Sequence, residues 1–359
     1  MFEEAFVLKI GVFSFGVMPF DGVSTFCVET ANEFVRRGNT CVVYSIYKDP
    51  KPQFLPDIRL RMIDRAVQVG EEHLDIASIN AIWHAWNIDV MRWCWRRRIP
   101  YVVSPHGGLM PRVFTKGRIR KWLVWHFVLK PLVRRAAAIH CTSSAEVEAC
   151  KALGLKGPFV VAPLGVHLPD CPNCGDSSPS QTRTVLFLGR ISEEKGLLGL
   201  LDAWRSLRRE GWVLKISGPD WRHYRQLLEQ KIANEHIAGV ELLGTADAAA
   251  KDLLYREADI FVLPSPMENF SMVVLEALAY GVPAIATKGT PWAELESERC
   301  GLWIEQGVEP LCTALQKMME LSDAERAEMG ARGRRLAATR YQWPAVAKKL
   351  LDCYNAVVG

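Results

Sequence analysis

The chain has 359 residues, 49% of them hydrophobic and 23% charged, with a formal net charge of +4. That length exceeds what one hydrophobic core usually holds and the composition is ordinary for globular proteins, so two folded domains are expected and a low-complexity or collagen-like chain is excluded. No apolar run is long enough to span a bilayer, and the opening Met-Phe-Glu-Glu-Ala lacks the basic flank of a secretory signal.

In chain order, residues 7–13 and 40–46 read as apolar strands, and 26–37 between them as a helix closed by Gly38. The loop after the first strand carries Gly16, Asp21 and Gly22. Residues 81–86 and 101–104 follow as strands. His84 stands between Trp83 and Trp86, apolar flanks that favour a core or cleft-wall position. After the 101–104 strand comes Pro105-His106-Gly107-Gly108. A histidine beside two glycines has an accessible backbone, and its ring can donate or accept a hydrogen bond near neutral pH.

Between Val90 and Ala145 there is no acidic residue, while Arg92, Arg96, Arg97, Arg98, Arg118, Arg120, Lys121, Arg134 and Arg135 alternate with Trp122, Trp125 and Phe127. Basic residues with tryptophan suit either a solvated face over a core or a helix on an anionic membrane. No nucleic-acid motif accompanies them, so no nucleic acid is expected as a partner, and the motifs at 185–196 and 268–276 favour an anionic membrane surface for region 90–135.

Residues 168–183 are rich in Pro, Ser, Gly and Asp without periodicity and read as a linker. Within it, Cys171 and Cys174 form a CxxC with no second pair and no nearby His, so two free thiols are expected. Ten scattered cysteines in a chain of this size point to a reducing cytosol. Beyond the linker, strands at 184–188, 212–217, 239–243, 259–263 and 283–286 alternate with helices at 196–210, 221–235, 248–256 and 271–280. The alternation predicts an α/β protein with two Rossmann-like parallel-sheet domains. The expected limits are 1–170 and 180–341, followed by a last helix over 342–359 that Pro344 opens.

Two motifs carry the chemistry. Val185-Leu-Phe-Leu-Gly189-Arg190 is a strand and glycine turn, with Lys195 and Gly196 five and six residues past Arg190. Arg as a fork and Lys as a point charge suit a diphosphate. Later, Glu268 and Glu276 stand eight apart, the first in a strand-to-helix loop and the second inside the helix. A helix N-terminus takes an anion, and carboxylates accept hydrogen bonds from sugar hydroxyls. A phosphate flanked by hydroxyls at both ends describes a nucleotide sugar.

Both motifs resemble the donor site of the retaining glycosyltransferases of the family 4 type (glycosyl transferases group 1). That resemblance implies the GT-B fold, with two Rossmann-like domains facing across a cleft and the final helix crossing back onto the first. By position, Arg190 and Lys195 would be the diphosphate clamp beside Gly189. Glu268 would contact the transferred sugar, Asn269, Phe270, Ser271 and Met272 would offer backbone N–H groups, and Glu276 would hold the ribose. The family more often has Gly where Ser271 stands. His106 would meet the donor sugar from the first domain. Gly22 falls in the family's glycine-rich loop, with Asp21 in place of its adjacent glycine.

The implied activity is retaining transfer from a UDP- or GDP-sugar to a glycan acceptor. A lipid-linked intermediate of cell-surface polysaccharide synthesis, on the inner face of the cell membrane, would suit the basic region. With no Asp-x-Asp triplet in the chain, neither a metal nor another cofactor is expected. Two alternatives remain at this stage: another GT-B enzyme such as a sugar-nucleotide epimerase, and a non-catalytic nucleotide-sugar-binding partner of a glycan assembly complex.

Overall fold

The computed structural model describes residues 7–17, 22–48, 54–115, 117–170, 182–207 and 210–359. The Cys171–Cys174 pair and Asp21 lie outside them. The chain divides into two compact units, Met1–Gly165 with Trp343–Gly359, and Val166–Gln342.

In the first unit seven parallel strands form one sheet. They are β1 (Lys9–Ser14), β3 (Thr40–Ser45), β5 (Arg59–Met62), β6 (Ile76–Asn80), β7 (Tyr101–Ser104), β8 (Ala138–Cys141) and β9 (Phe159–Val161). Their order is β5-β3-β1-β6-β7-β8-β9, and the two-residue strands β2 (Gly16–Val17) and β4 (Tyr47–Lys48) pair apart from it. Strands β6, β7 and β8 are buried along their whole length, as expected where helices cover both faces of a parallel sheet. The helices include α1 (Gly22–Arg36), α2 (Ala85–Arg97), α5 (Ser144–Ala152) and α13 (Trp343–Val358). Helix α13 packs on α1, where the Phe34 and Tyr354 ring centroids are 5.6 Å apart and Arg37 donates to the Pro344 carbonyl at 2.8 Å.

Residues 81–86 are not a strand, contrary to the sequence reading. The strand is β6, which ends at Asn80 where Ala81 turns the chain with φ 67°, and the run beyond it forms that turn and the start of α2. His84 is an exposed N-cap whose Nδ1 accepts from the Trp86 N–H at 3.2 Å, so it is not a core residue. A further helical stretch joins β7 to β8: α3 (Arg118–Val124), a wider π-turn at Trp125–Leu129, then α4 (Lys130–Val133). The wide turn stands just ahead of Pro131, which lacks the N–H that would close a regular turn there.

The second unit holds six parallel strands: β10 (Arg183–Leu188), β11 (Trp212–Ser217), β12 (Val240–Leu242), β13 (Ile260–Leu263), β14 (Ala284–Thr287) and β15 (Gly301–Ile304). Their order is β12-β11-β10-β13-β14-β15. Its helices include α6 (Leu197–Arg205), α7 (Tyr224–Asn234), α8 (Ala248–Glu257), α9 (Met272–Ala279), α10 (Glu294–Ser297), α11 (Val308–Glu320) and α12 (Asp323–Arg340). A capping box starts α12, with Ser322 and Glu325 satisfying each other's backbone N–H groups. In each sheet the chain reverses its direction of winding once, between β1 and β6 and between β10 and β13. Open α/β sheets bind ligands outside the carboxyl ends of the strands at such a point.

Candidate active site

In the second unit both motifs fall at that reversal. Strands β10 and β13 are neighbours, with Val185 opposite Ile260, so the loops that leave their carboxyl ends lie side by side. Gly189 and Arg190 follow β10, and a short 3-10 turn over Glu193–Lys195 leads through Gly196 into α6. Residues 264–271 follow β13 and lead into α9.

Glycine lets these loops meet backbone to backbone. Gly196 has φ 70°, and a β-carbon there would collide with the Pro264 carbonyl oxygen. Gly218, at the end of β11, has φ 151°, and a β-carbon there would strike the Gly189 carbonyl oxygen. The Glu268 loop is also tied from β14, where the Glu268 N–H donates to the Gly289 carbonyl at 2.9 Å and Trp292 Nε1 to the Phe270 carbonyl at 2.6 Å.

The packing brings Lys195 Nζ to 2.5 Å from Glu268 Oε1, with both side chains mostly buried. Arg190 is exposed and its guanidinium lies 5.1 Å from the Trp221 ring centroid, an aromatic shelf that the motif did not reveal. Glu276 points away from that pair, onto α8. Its Oε1 accepts from Lys251 Nζ at 2.6 Å and its Oε2 from the Tyr255 hydroxyl at 2.7 Å. Burial first, then the Glu276 charge, pushes the Tyr255 phenol far above its usual range, so it remains a donor.

Ser271 precedes α9 with φ 74°, in the left-handed region. A residue with a β-carbon loses about 1–2 kcal/mol there, which is why glycine would be natural at this position. The Ser271 hydroxyl does not cap the helix. The first N–H groups of α9, beginning at Met272, have no intrahelical carbonyl to meet, and their positive dipole end faces the loop that holds Asn269 and Phe270.

In the first unit His106 follows β7 with φ 49°. Its Nε2 lies 3.0 Å from Asn80 Oδ1, and its ring stands edge-on to Phe26 at 5.0 Å and to His140 at 6.0 Å. Burial, then the neighbouring His140, holds the His106 imidazole down to about 3. His140 is fully buried in β8, hydrogen-bonded to the Ser104 hydroxyl at 2.8 Å and the Ala162 carbonyl at 2.7 Å, and burial lowers it to about 4. Glu146 on α5 is buried too, and accepts from the Gly107 N–H at 2.5 Å and the Thr142 N–H at 2.8 Å. Sequence reading missed Asn80 and His140, each beside apolar strand residues, and Glu146, one of several polar residues of α5. Gly22 opens α1 with open space where a β-carbon would stand. Among the described residues no group of three or more His, Cys, Asp or Glu could hold a metal.

Two Rossmann-like parallel sheets, one with cations and carboxylates gathered at its reversal point, define the GT-B class. Anabaena HepE, solved with UDP and glucose, superposes with a TM-score of 0.79 over 97% of this chain and 100% of its own at 18% identity. The family model for glycosyl transferases group 1 matches residues 176–336, and that for glycosyltransferase family 4 matches residues 20–169. The chain belongs to the family 4 glycosyltransferases.

D-inositol 3-phosphate glycosyltransferase of Salinispora tropica is 29% identical over 53% of this chain, a match that spans 44% of its own length. The GDP-mannose:cellobiosyl-diphosphopolyprenol alpha-mannosyltransferase of Xanthomonas campestris is 26% identical over 72% of this chain and 68% of its own. The chain thus spans less than half the length of the first curated relative it matches.

Proposed function

We propose that this chain is a retaining glycosyltransferase that moves a sugar from a UDP- or GDP-sugar to a glycan acceptor. The contact between Lys195 and Glu268 carries this reading, because it joins the two motifs into one site at the reversal point. On donor binding the diphosphate would replace Glu268 as the partner of Lys195, and Arg190 and the α9 N-terminus would take the rest of its charge. Glu268, released from Lys195, would accept hydrogen bonds from hydroxyls of the transferred sugar. Glu276 would do the same for the ribose.

In the transfer an acceptor oxygen forms a bond to the anomeric carbon as the bond from that carbon to the diphosphate breaks on the same face. The acceptor proton passes to the departing phosphate oxygen. Glu268 positions the sugar and does not become covalently attached. No step in this scheme calls for a metal or another cofactor, since side chains and a helix end carry the leaving-group charge.

We further propose a lipid-linked acceptor of cell-surface polysaccharide synthesis, met at an anionic membrane on the cytoplasmic side. The Xanthomonas relative is named for a diphosphopolyprenol acceptor. Among the described residues no helix is long and apolar enough to cross a membrane. Ile119, Trp122, Leu123 and Phe127 are 78%, 52%, 45% and 71% exposed. At about 100° per residue Ile119, Trp122 and Leu123 share one face, with Arg118 and Arg120 on its two flanks, and across the wide turn the Phe127 ring centroid lies 6.3 Å from that of Trp122. Such a face suits insertion at the headgroup level.

Purified protein given UDP- and GDP-sugars tests the catalytic proposal. Release of nucleoside diphosphate that depends on a glycan acceptor is expected. Donor conversion without acceptor would indicate an epimerase, and binding without turnover a non-catalytic partner.

A further inference from the structure

We propose that Asn80 is a positioning residue: it fixes His106 as the Nε2–H tautomer and leaves His106 Nδ1 as a hydrogen-bond acceptor for a hydroxyl of the sugar substrate. The inference rests on the proposed transfer activity and on the donor-sugar contact that the family resemblance implies for His106; the tautomer itself rests on geometry alone.

Asn80 is fully buried at the end of β6. Its Nδ2 faces the carbonyl oxygens of Phe13 at 3.3 Å and Ser78 at 3.4 Å. Carbonyls only accept, so the amide nitrogen must point to them and Oδ1 must point to His106. An amide oxygen cannot donate, so the hydrogen on that 3.0 Å contact belongs to His106 Nε2. The same logic applies to His140, whose Nε2 faces the Ala162 carbonyl at 2.7 Å and whose Nδ1 therefore accepts from the Ser104 hydroxyl.

Among the described residues no carboxylate is in contact with the His106 ring. Helix α1 presents Phe26, β8 presents His140 and β6 presents Asn80. Glu146 on α5 is spent on the Gly107 N–H and on Thr142. Burial and His140 therefore keep the ring neutral through the physiological range. Among the described residues Nδ1 has no hydrogen-bond partner, and the ring is only partly buried. The loop is anchored for the purpose, with Glu146 holding the Gly107 N–H and Trp83 Nε1 donating to the Gly108 carbonyl at 2.6 Å.

A neutral acceptor selects a group that can donate. A hydroxyl fits, whereas a carboxylate on the sugar would face a lone pair and no compensating charge. Neutral hydroxylated sugars are therefore favoured over uronic acids as donors.

Nitrogen-15 NMR of histidine-labelled protein reads the tautomer without any substrate. His106 should show a protonated Nε2 and an unprotonated Nδ1, unchanged from pH 8 to pH 5.5. An Nδ1–H signal, or a mixture, overturns the proposal. The role is then read from Asn80→Asp, which places a carboxylate against Nε2 and favours the charged ring. That variant should lose about tenfold in transfer rate at pH 5.5 relative to pH 8, beyond any change in the parent protein. Parallel pH profiles in an Asn80→Asp protein that melts normally would contradict the role. Should the parent protein transfer no sugar at all, the proposed function fails, and the NMR result still decides the tautomer.

Discussion

The two sheets reverse direction in the same way, yet the polar groups at the carboxyl ends of their strands are of opposite kinds. In the second unit the loops after β10 and β13 gather charge: Arg190, the Lys195–Glu268 pair, and Glu276 held by Lys251 on α8. In the first unit the carboxyl ends of β6, β7 and β8 gather neutral polar groups, Asn80, Ser104 with the following His106, and His140, with Glu146 buried beside them. One edge suits a diphosphate and the other suits hydroxyls. A shared topology supplies the location, and the side chains at the ends of two strands supply the function.

Lys195→Ala should break that contrast most severely. Loss of one preorganised charge opposite a developing anion costs about 10²–10³ in turnover, with the fold retained by circular dichroism. Near-normal turnover would remove Lys195 from the site. Glu268→Gln should follow, with a loss of at least about tenfold. Because the two side chains touch, the double variant should lose much less than the two single losses multiplied together. Full multiplicativity in a kinetic double-mutant cycle would show that they act apart.

The first unit also carries an exposed apolar face on α3 and the wide turn after it, flanked by Arg118 and Arg120. Ile119→Ser with Phe127→Ser should weaken sedimentation with anionic vesicles by about tenfold or more, while nucleotide binding in the second unit stays unchanged. Equal pelleting of parent and variant would place membrane contact elsewhere.

Acid should weaken the neutral cluster. An unfolded chain protonates His140 below about pH 6.5, whereas the folded chain resists until about pH 4 because the ring is buried. The unfolded state thus binds more protons in that window, and stability falls as the pH drops through it. The expected slope is about 1.4 kcal/mol per pH unit for this one group. Urea midpoints at pH 7 and pH 5 for the parent and His140→Gln read it, and identical pH dependence in both would contradict the buried neutral ring. Smallest of all, Ser271→Gly should relieve the left-handed backbone and raise stability by up to about 1 kcal/mol.

The same contrast explains what the sequence disclosed. In the second unit each motif is contiguous, because each loop joins one strand to the next helix; Gly189 to Gly196 and Glu268 to Glu276 can be read by eye. The first-unit cluster is scattered over β6, β7, β8 and α5; His140 is one polar residue in the apolar run Ala138–Cys141, and Glu146 is one of several polar residues of α5. Nothing in such a run tells a buried polar residue from an interruption. Residues 81–86 misled for a related reason, since apolar side chains at the start of a helix look like a strand until His84 is recognised as its cap. The departure at Ser271 was visible in sequence, but its positive φ required the backbone.

The most direct test of the donor site is thermal unfolding with UDP and GDP at saturating concentration. Nucleotide at one hundred times its dissociation constant should add about 2.7 kcal/mol of stability. Stabilisation by one of the two, absent in Lys195→Ala, is the predicted result and would identify the donor class. No stabilisation by either nucleotide would contradict a nucleotide-sugar site at the β10–β13 edge.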